Sequence, residues 1–285
     1  MTGIRRVAVL GAGTMGGGIA QLAATKGFEV ALQDVVPAGL ERALSRIREN
    51  LEKGVAKGKI SPDDPPRILE RIRAIAEVEG AVAGADVVIE AIPEVLAEKR
   101  ALFRRLGEIV APEAILATNT SSLPVGEIAS EARRPERALG LHFFNPPYAM
   151  PLVEIVRAGC TADATVERAL AFVRDLGKEP IVVRDAPGFA TSRLGLALGL
   201  EAMRLVEEGV ASAEDVDRAM RLGYGHPMGP LELTDLVGLD VRLSIAEHLA
   251  ATLGPRFEPP AILRRLVAEG KLGRKSGEGF YRHAK

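Results

Sequence analysis

The chain has 285 residues, enough for one large domain or two ordinary ones, and 47% of them are hydrophobic, as in globular proteins. A net charge of −1 gives no electrostatic reason to expect nucleic acid or an anionic membrane as a partner. The single cysteine, Cys160, excludes a disulfide framework and a cysteine-based metal site, and it fits a reducing, cytoplasmic setting. No apolar run is long enough to span a bilayer. Few Asn and Gln, no Trp and abundant Arg suggest a thermophilic source.

The first predicted strand, residues 7–10, leads directly into Gly-Ala-Gly-Thr-Met-Gly, and a predicted helix over 18–26 follows. We interpret the strand as part of the fold and not as a signal peptide. Strand, glycine turn and helix are the context in which Gly-x-Gly-x-x-Gly binds a dinucleotide, because the glycines allow a tight turn and close approach of a pyrophosphate. The alternative is a glycine-rich turn in another kind of α/β protein. The residues predicted to bind the pyrophosphate are Gly11, Gly13, Thr14, Met15 and Gly16.

The second predicted strand, residues 29–33, ends at Asp34, which lies 18 residues after Gly16. An acid near this spacing bonds both hydroxyls of an adenosine ribose and repels a 2′-phosphate. No Arg follows the acid, since the next two residues are Val35 and Val36. The sequence therefore predicts NAD as the cofactor in preference to NADP.

A charged segment follows Asp34. Residues 38–58 predict a long helix, and a second helix begins near Arg67 after Asp-Asp-Pro-Pro. Such a helical pair, about residues 38–73, is unusual in a plain mononucleotide-binding unit, whose connections are short. On charge pattern alone, an ordinary solvated face is favoured over an arm that covers an anionic substrate.

Two further predicted strands, 86–90 and 114–118, end in polar loops. Ligands of open α/β sheets bind at the carboxyl ends of the strands, so both loops are candidates for a binding site. The second loop, Asn-Thr-Ser-Ser at 119–122, has an alternative role as the cap of a short helix at 124–130. Strands over 139–142, 152–156 and 181–183 complete the predicted sheet.

His142 ends one predicted strand, and Glu154 lies at the matching level of the next strand. A His–Glu pair fixes the tautomer of the imidazole and raises its proton affinity, as in an oriented general base. Asn145 and Ser121 are uncharged hydrogen-bonding residues suited to holding a hydroxyl or a developing oxyanion. The alternatives are a structural histidine and a glutamate bonded to a backbone N–H. No residue pattern supports a catalytic metal.

After Asp-Ala-Pro-Gly at 185–188 the strand signals end. Helices are predicted over 189–208, from Ser212 with Asp215 in a capping box, over 231–253 and over 260–269. We therefore predict a cofactor-binding domain over 1–185 and an all-helical domain over 186–285. The first of these helices is apolar on most sides between Leu194 and Leu200, so its own domain or a second copy of the chain must bury it.

Several motifs in order make the chain resemble the L-3-hydroxyacyl-CoA dehydrogenases, in particular the bacterial 3-hydroxybutyryl-CoA dehydrogenases. They are the glycine turn, Asn-Thr-Ser-Ser at 119–122, His-Phe-Phe-Asn-Pro at 142–146 and Glu154. The likeness extends to Asp-Ala-Pro-Gly-Phe at 185–189, Pro-Met-Gly-Pro at 227–230, Asp-Leu-Val-Gly-Leu-Asp at 235–240 and Lys-Ser-Gly-Glu-Gly-Phe-Tyr at 275–281. It implies a Rossmann-like, doubly wound and mostly parallel sheet with a helical-arm insertion, followed by an all-α domain for substrate and dimerisation. It also implies NAD-dependent oxidation of a short-chain (S)-3-hydroxyacyl-CoA, as in fatty acid β-oxidation, by a homodimer.

The resemblance implies roles for individual residues. The implied catalytic residues are His142 as general base, Glu154 as its partner, Ser121 and Asn145. Further substrate contacts are expected at Ser192 and, from the arm to CoA, at Arg46 and Lys53. The residues expected at the cofactor beyond the glycine turn are Asp34, Ala91, Glu94, Lys99, Asn119 and Ser121.

Two other functions remain open from the sequence. One is the dehydrogenation of a free hydroxy acid, as in the related L-gulonate 3-dehydrogenases. The other is NAD(H) binding without chemistry, as in the related lens crystallins. The presence of Ser121, His142, Asn145 and Glu154 argues against the non-catalytic alternative.

One position departs from the family pattern, which usually has Asn near the substrate thioester where this chain has Ser192. Serine is shorter and has no amide to donate. We predict that Ser192→Asn raises the turnover of acetoacetyl-CoA, as measured by NADH absorbance. Unchanged kinetics would mean that Ser192 takes no part in substrate handling.

Overall fold

The computed structural model describes residues 3–283, so residues 1–2 and 284–285, at the outer ends of the two predicted domains, lie outside it. The chain divides into two compact units, Met1–Asp185 and Ala186–Lys285. Each unit has its own hydrophobic core. None of the helices within residues 3–283 combines the length and the apolar character needed to cross a membrane.

The first unit is built on one eight-stranded sheet with the strand order β3-β2-β1-β4-β5-β6-β7-β8. Strands β1 to β6 run parallel, β7 runs antiparallel to β6, and β8 runs parallel to β7. The predicted Rossmann-like, mostly parallel sheet is thereby confirmed. The strands are β1 (Arg6–Leu10), β2 (Glu29–Gln33), β3 (Ile72–Ile75), β4 (Val87–Glu90), β5 (Ile115–Thr118), β6 (Ala138–Phe143), β7 (Leu152–Arg157) and β8 (Glu179–Arg184).

Helices flank the sheet, as the hydrophobic periodicity predicts. The buried residues of α2, among them Leu40, Ile47 and Leu51, recur at helical spacing and pack into the core. The helix expected near Arg67 begins earlier, because Pro65 and Pro66 lie in its first turn, where a missing N–H costs nothing. The helices of this unit are α1 (Thr14–Thr25), α2 (Pro37–Ala56), α3 (Asp64–Glu70), α4 (Val78–Val82), α5 (Leu96–Ile109), α6 (Val125–Ala129) and α7 (Asp163–Asp175).

The second unit is helical, and its main helices are α8 (Thr191–Glu207), α9 (Ala213–Tyr224), α10 (Pro230–Val237), α11 (Leu239–Leu253) and α12 (Ala261–Ala268). Ser212 is confirmed as the N-cap of α9, since its Oγ accepts the Asp215 N–H at 3.1 Å. The prediction of one helix over 231–253 is wrong. Gly238 separates two helices with φ of +106°, a backbone angle that residues with a Cβ rarely adopt.

Two buried carboxylates hold segments of the second unit together through hydrogen bonds. Asp217 of α9 accepts the N–H groups of Leu231 and Glu232, in the first turn of α10, at 2.9 and 2.8 Å, and the Tyr281 hydroxyl at 2.7 Å. Asp235 accepts the Phe280 and Tyr281 N–H groups, both at 2.9 Å. Burial and the Asp217 hydrogen bond raise the pKa of Tyr281 above its usual value, which keeps the hydroxyl a donor. These bonds explain why a tail segment far along the chain packs against α9 and α10.

We predict that Asp217→Ala destabilises the helical unit by about 2–4 kcal/mol, because two backbone N–H groups, one of them buried, and one hydroxyl lose this acceptor. Calorimetric unfolding measures the effect. Glu208→Ala is the control, since this exposed side chain at the end of α8 should change stability by less than about 0.5 kcal/mol. Equal stability of the two variants would contradict the anchoring role of Asp217.

Candidate active site

The glycine turn between β1 and α1 has the shape that a dinucleotide needs. Gly11 has φ of +98°, and a Cβ placed there would lie 2.6 Å from the Ala91 carbonyl oxygen. A Cβ on Gly16 would lie 1.8 Å from the Gly11 carbonyl oxygen. A Cβ on Gly13 would meet nothing within 4 Å, so this side of the turn is open at the start of α1. The open side fits the pyrophosphate of a bound dinucleotide, which the helix N-terminus favours.

Asp34 lies at the carboxyl end of β2, beside the same turn. Its carboxylate accepts the Ala12 N–H at 2.8 Å and the Val36 N–H at 2.9 Å. Both bonds fix the carboxylate in the position from which an acid binds an adenosine ribose. The residues on this side of the site therefore fit NAD.

The β6–β7 pairing brings His142 and Glu154 together. Antiparallel register sets the two residues directly opposite each other, and the His142 Nδ1 lies 2.6 Å from the Glu154 Oε2. Both side chains are buried, and the imidazole packs against the Phe144 ring at a centroid distance of 4.6 Å. The sequence prediction that the two residues stand at matching levels is correct.

The loops after β4 and β5 meet at the same edge of the sheet. Asn119 N donates to the Glu90 carbonyl at 2.8 Å, and Asn119 Oδ1 accepts the Phe143 N–H at 3.0 Å, next to His142. Ser121 is exposed, and its N–H donates to Glu94 Oε1 at 3.0 Å. The alternative role of this loop as a helix cap is wrong, since α6 has no side-chain cap. Ser121, three residues after β5, and His142, near the end of β6, therefore belong to neighbouring strands.

Asn145 lines a pocket of about 90 Å³ together with Thr14 of α1 and with Arg46 and Asn50 of α2. The arm, the glycine turn and the loop after β6 therefore share one cavity. Arg46 reaches inward, and its Nη2 donates to the Ala12 carbonyl at 3.1 Å.

Three other residues predicted to contact substrate or cofactor do not line this pocket. The Lys53 side chain is 70% exposed, and its ammonium lies 4.0 Å from Glu49 Oε2. Ser192 lies half-buried in the first turn of α8, in the second unit. Lys99 is completely buried, and its Nζ lies 2.6 Å from Glu90 Oε1.

Sequence reasoning missed Glu90 and its hydrogen-bond partner Thr118. The signal was present, because Glu90 is an acid in an otherwise apolar buried strand, the same feature that singled out Glu154. Within residues 3–283, no group of His, Cys, Asp or Glu side chains is arranged to hold a metal ion.

Comparison with known proteins decides the family. The family model of the 3-hydroxyacyl-CoA dehydrogenase NAD binding domain matches residues 6–186, and the model of the C-terminal domain of that family matches residues 188–283. The chain belongs to the 3-hydroxyacyl-CoA dehydrogenase family. It is therefore an NAD-dependent oxidoreductase, as the sequence predicted.

Relatives of this family match along nearly the whole chain. A probable 3-hydroxybutyryl-CoA dehydrogenase of Bacillus subtilis is 44% identical over 98% of this chain and 97% of the relative. The mitochondrial hydroxyacyl-coenzyme A dehydrogenase of Sus scrofa is 42% identical over 98% of this chain and 91% of the relative. The solved structure of (S)-3-hydroxybutyryl-CoA dehydrogenase from Ralstonia eutropha, 38% identical, matches with a TM-score of 0.94 over 99% of this chain and 100% of that one.

Substitution by alanine should have different effects at Gly13 and at Gly16. Gly13→Ala should leave the melting temperature unchanged but weaken NADH binding by about tenfold or more, because the new methyl group enters only the open side of the turn. Gly16→Ala should lower the melting temperature, since its methyl group collides with the backbone. Fluorescence titration with NADH and thermal unfolding measure both effects. Unaltered NADH affinity in Gly13→Ala would contradict the assignment of the pyrophosphate site.

Proposed function

We propose that this dehydrogenase oxidises a short-chain (S)-3-hydroxyacyl-CoA, such as 3-hydroxybutyryl-CoA, to the 3-oxoacyl-CoA. The observation that carries the proposal is the buried contact of 2.6 Å between His142 Nδ1 and Glu154 Oε2 at the carboxyl edge of the sheet. The names of the Bacillus subtilis and Ralstonia eutropha relatives support the short acyl chain.

In this proposal His142 is the general base. Glu154 holds Nδ1, so the imidazole presents Nε2, on the other side of the ring, to the 3-hydroxyl of the substrate. NAD held at the glycine turn and Asp34 would supply the acceptor for the hydride that leaves the carbon bearing this hydroxyl. As Nε2 takes the proton, Glu154 stabilises the imidazolium, and in the reverse direction the imidazolium returns the proton. The Ser121 hydroxyl and the Asn145 amide hold the substrate oxygen.

The arm is proposed to bind CoA. The exposed ammonium of Lys53 suits a phosphate group, because its contact with Glu49 is long, at 4.0 Å, and its side chain is 70% exposed. Arg46 lies nearer the glycine turn, where its guanidinium has donors beyond the one that binds the Ala12 carbonyl. In this proposal Arg46 and Lys53 bind the phosphate groups of CoA, and the cofactor binds beside them at the glycine turn.

A homodimer through the helical unit is the proposed assembly. Leu194, in the apolar stretch of α8, is 71% exposed, and Val241 of α11 is also exposed. Burial of such large apolar side chains against a second copy of the chain would favour association of the two copies.

The decisive assay follows NADH absorbance with acetoacetyl-CoA as substrate. We predict that the wild-type protein turns over and that His142→Gln lowers kcat by about 10²–10⁴-fold, because glutamine cannot accept the proton. NADH binding by the variant, measured by fluorescence titration, should stay near the wild-type level. Substantial turnover by His142→Gln would remove His142 as the base.

The same assay separates the alternatives. L-gulonate and other free hydroxy acids are tested with NAD beside 3-hydroxybutyryl-CoA, and the CoA ester should be the better substrate by kcat/KM. Turnover of the free acid alone would make the protein a free-acid dehydrogenase. NADH binding without turnover of either class would make it a non-catalytic binding protein.

A further inference from the structure

Arg242 of α11 is a buried cation whose guanidinium has no counter-ion among residues 3–283. The residue is 6% exposed, and its Nε has no hydrogen-bond partner. Burial lowers the pKa of Arg242 to about 10, and no neighbouring carboxylate opposes this shift. Asp240, two residues earlier on the same helix, instead accepts from Lys275 Nζ at 2.6 Å. The guanidinium is therefore charged at neutral pH and unpaired.

The other buried cations in the described part of the chain do have acceptors. Lys99 Nζ lies 2.6 Å from Glu90 Oε1, and Lys178 Nζ donates to the Met150 carbonyl at 2.7 Å. Buried charges are ordinarily paired in this way, because an unpaired one costs much free energy. Arg242 is the exception, so an anion from outside the chain is the partner that its guanidinium fits best.

The surroundings of the guanidinium leave one approach open. Arg242 Nη1 lies beside Gly195 of α8, since a Cβ placed on that glycine would be 3.7 Å from Nη1. Gly195 is half-buried, and it carries no side chain that could cover the guanidinium. A small anionic group can therefore reach Nη1 over the bare backbone of this residue.

The guanidinium also lies close to a residue that is predicted to bind substrate. Ser192 and Gly195 are three residues apart on α8, so they lie on the same face of the helix. The resemblance of the sequence to the family places Ser192 near the substrate thioester. Arg242 is thus one helical turn, roughly 5 Å along the axis of α8, from that contact. An acyl chain that starts near Ser192 can bring its far end to the guanidinium.

We propose that Arg242 binds a carboxylate at the far end of the acyl group, so that this dehydrogenase takes the 3-hydroxyacyl-CoA esters of dicarboxylic acids. This inference rests on the proposed function and on the predicted contact of Ser192. A guanidinium donates two parallel N–H groups to one carboxylate, which supplies both the missing charge and the missing acceptors. A terminal methyl group in the same place would leave the buried charge unpaired.

Two pairs of ligands test the carboxylate alone. 3-Oxoadipyl-CoA and 3-oxohexanoyl-CoA have equally long acyl chains that differ only in the terminal group, and NADH absorbance measures their reduction. The wild-type protein should favour 3-oxoadipyl-CoA in kcat/KM by about tenfold or more, and Arg242→Met should abolish this preference. Calorimetric titration with adipyl-CoA and hexanoyl-CoA compares the same two terminal groups without turnover, and the same preference should appear in the Kd values.

Stability separates ligand binding from a structural role of the arginine. Arg242→Met removes an unpaired buried charge and keeps a long apolar side chain, so the melting temperature should not fall. Arg218→Met is the matched control, since Arg218 is exposed and pairs with Asp215, and it should keep the wild-type preference.

A second variant keeps the charge and covers it. Gly195→Ala places a methyl group in ordinary contact with Arg242 Nη1, so it should reduce the preference for the carboxylate without lowering the melting temperature. Gly223→Ala is its control in another helix, because a Cβ there meets nothing within 4 Å, and it should leave the preference unchanged.

Three results would overturn the inference. The first is equal kcat/KM and equal Kd within each pair of CoA esters for the wild-type protein. The second is a preference that survives Arg242→Met. The third is dissociation of a dimer by Arg242→Met in sedimentation, with the preference retained, which would assign the guanidinium to a carboxylate of a second copy. Lack of turnover with every 3-oxoacyl-CoA would instead contradict the proposed function, and the calorimetric comparison would still decide the role of Arg242.

Discussion

The register of one antiparallel strand pair brings together the two side chains on which the proposed mechanism depends. In a sheet whose first six strands are parallel, the reversal at β7 sets Glu154 opposite His142. A slip of one residue would turn the carboxylate to the other face of the sheet and leave both side chains without their contact. A buried carboxylate without a partner is costly, so the register and the His–Glu contact reinforce each other. The fold thereby fixes the orientation of the imidazole before any ligand arrives.

The remainder of the first unit brings the other parts of the site to the same edge. The parallel strands place the glycine turn after β1, Asp34 after β2 and the loops after β4 and β5 at the same edge of the sheet. Buried polar contacts then hold these loops, with Glu90 beneath them and Asn119 bridging to Phe143 beside His142. Rigid support of this kind is what a hydride transfer needs, because small displacements of the reacting groups are costly.

Much of this arrangement was predictable because it depends on residue patterns that are short in sequence. Apolar runs marked the strands, the glycine spacing marked the turn, and an acid inside the apolar run 152–156 marked Glu154. The errors arose where tertiary contacts outweigh the local pattern. The hydrophobic periodicity of residues 231–253 continues across Gly238, so it does not reveal that a positive φ divides the helix there. The burial of Lys99 was not predictable either, because Lys99 belongs to a charged helical segment and only the fold brings Glu90 and Glu94 to its ammonium.

In the proposed reaction the imidazole of His142, held by Glu154, faces the reacting carbon. A crystal structure of the protein with NAD and acetoacetyl-CoA would show this orientation. We expect His142 Nε2 within about 3 Å of the 3-keto oxygen, with the contact between Nδ1 and Glu154 intact. A separation greater than roughly 5 Å in that complex, or another ionisable side chain at that oxygen, would rule out His142 as the base.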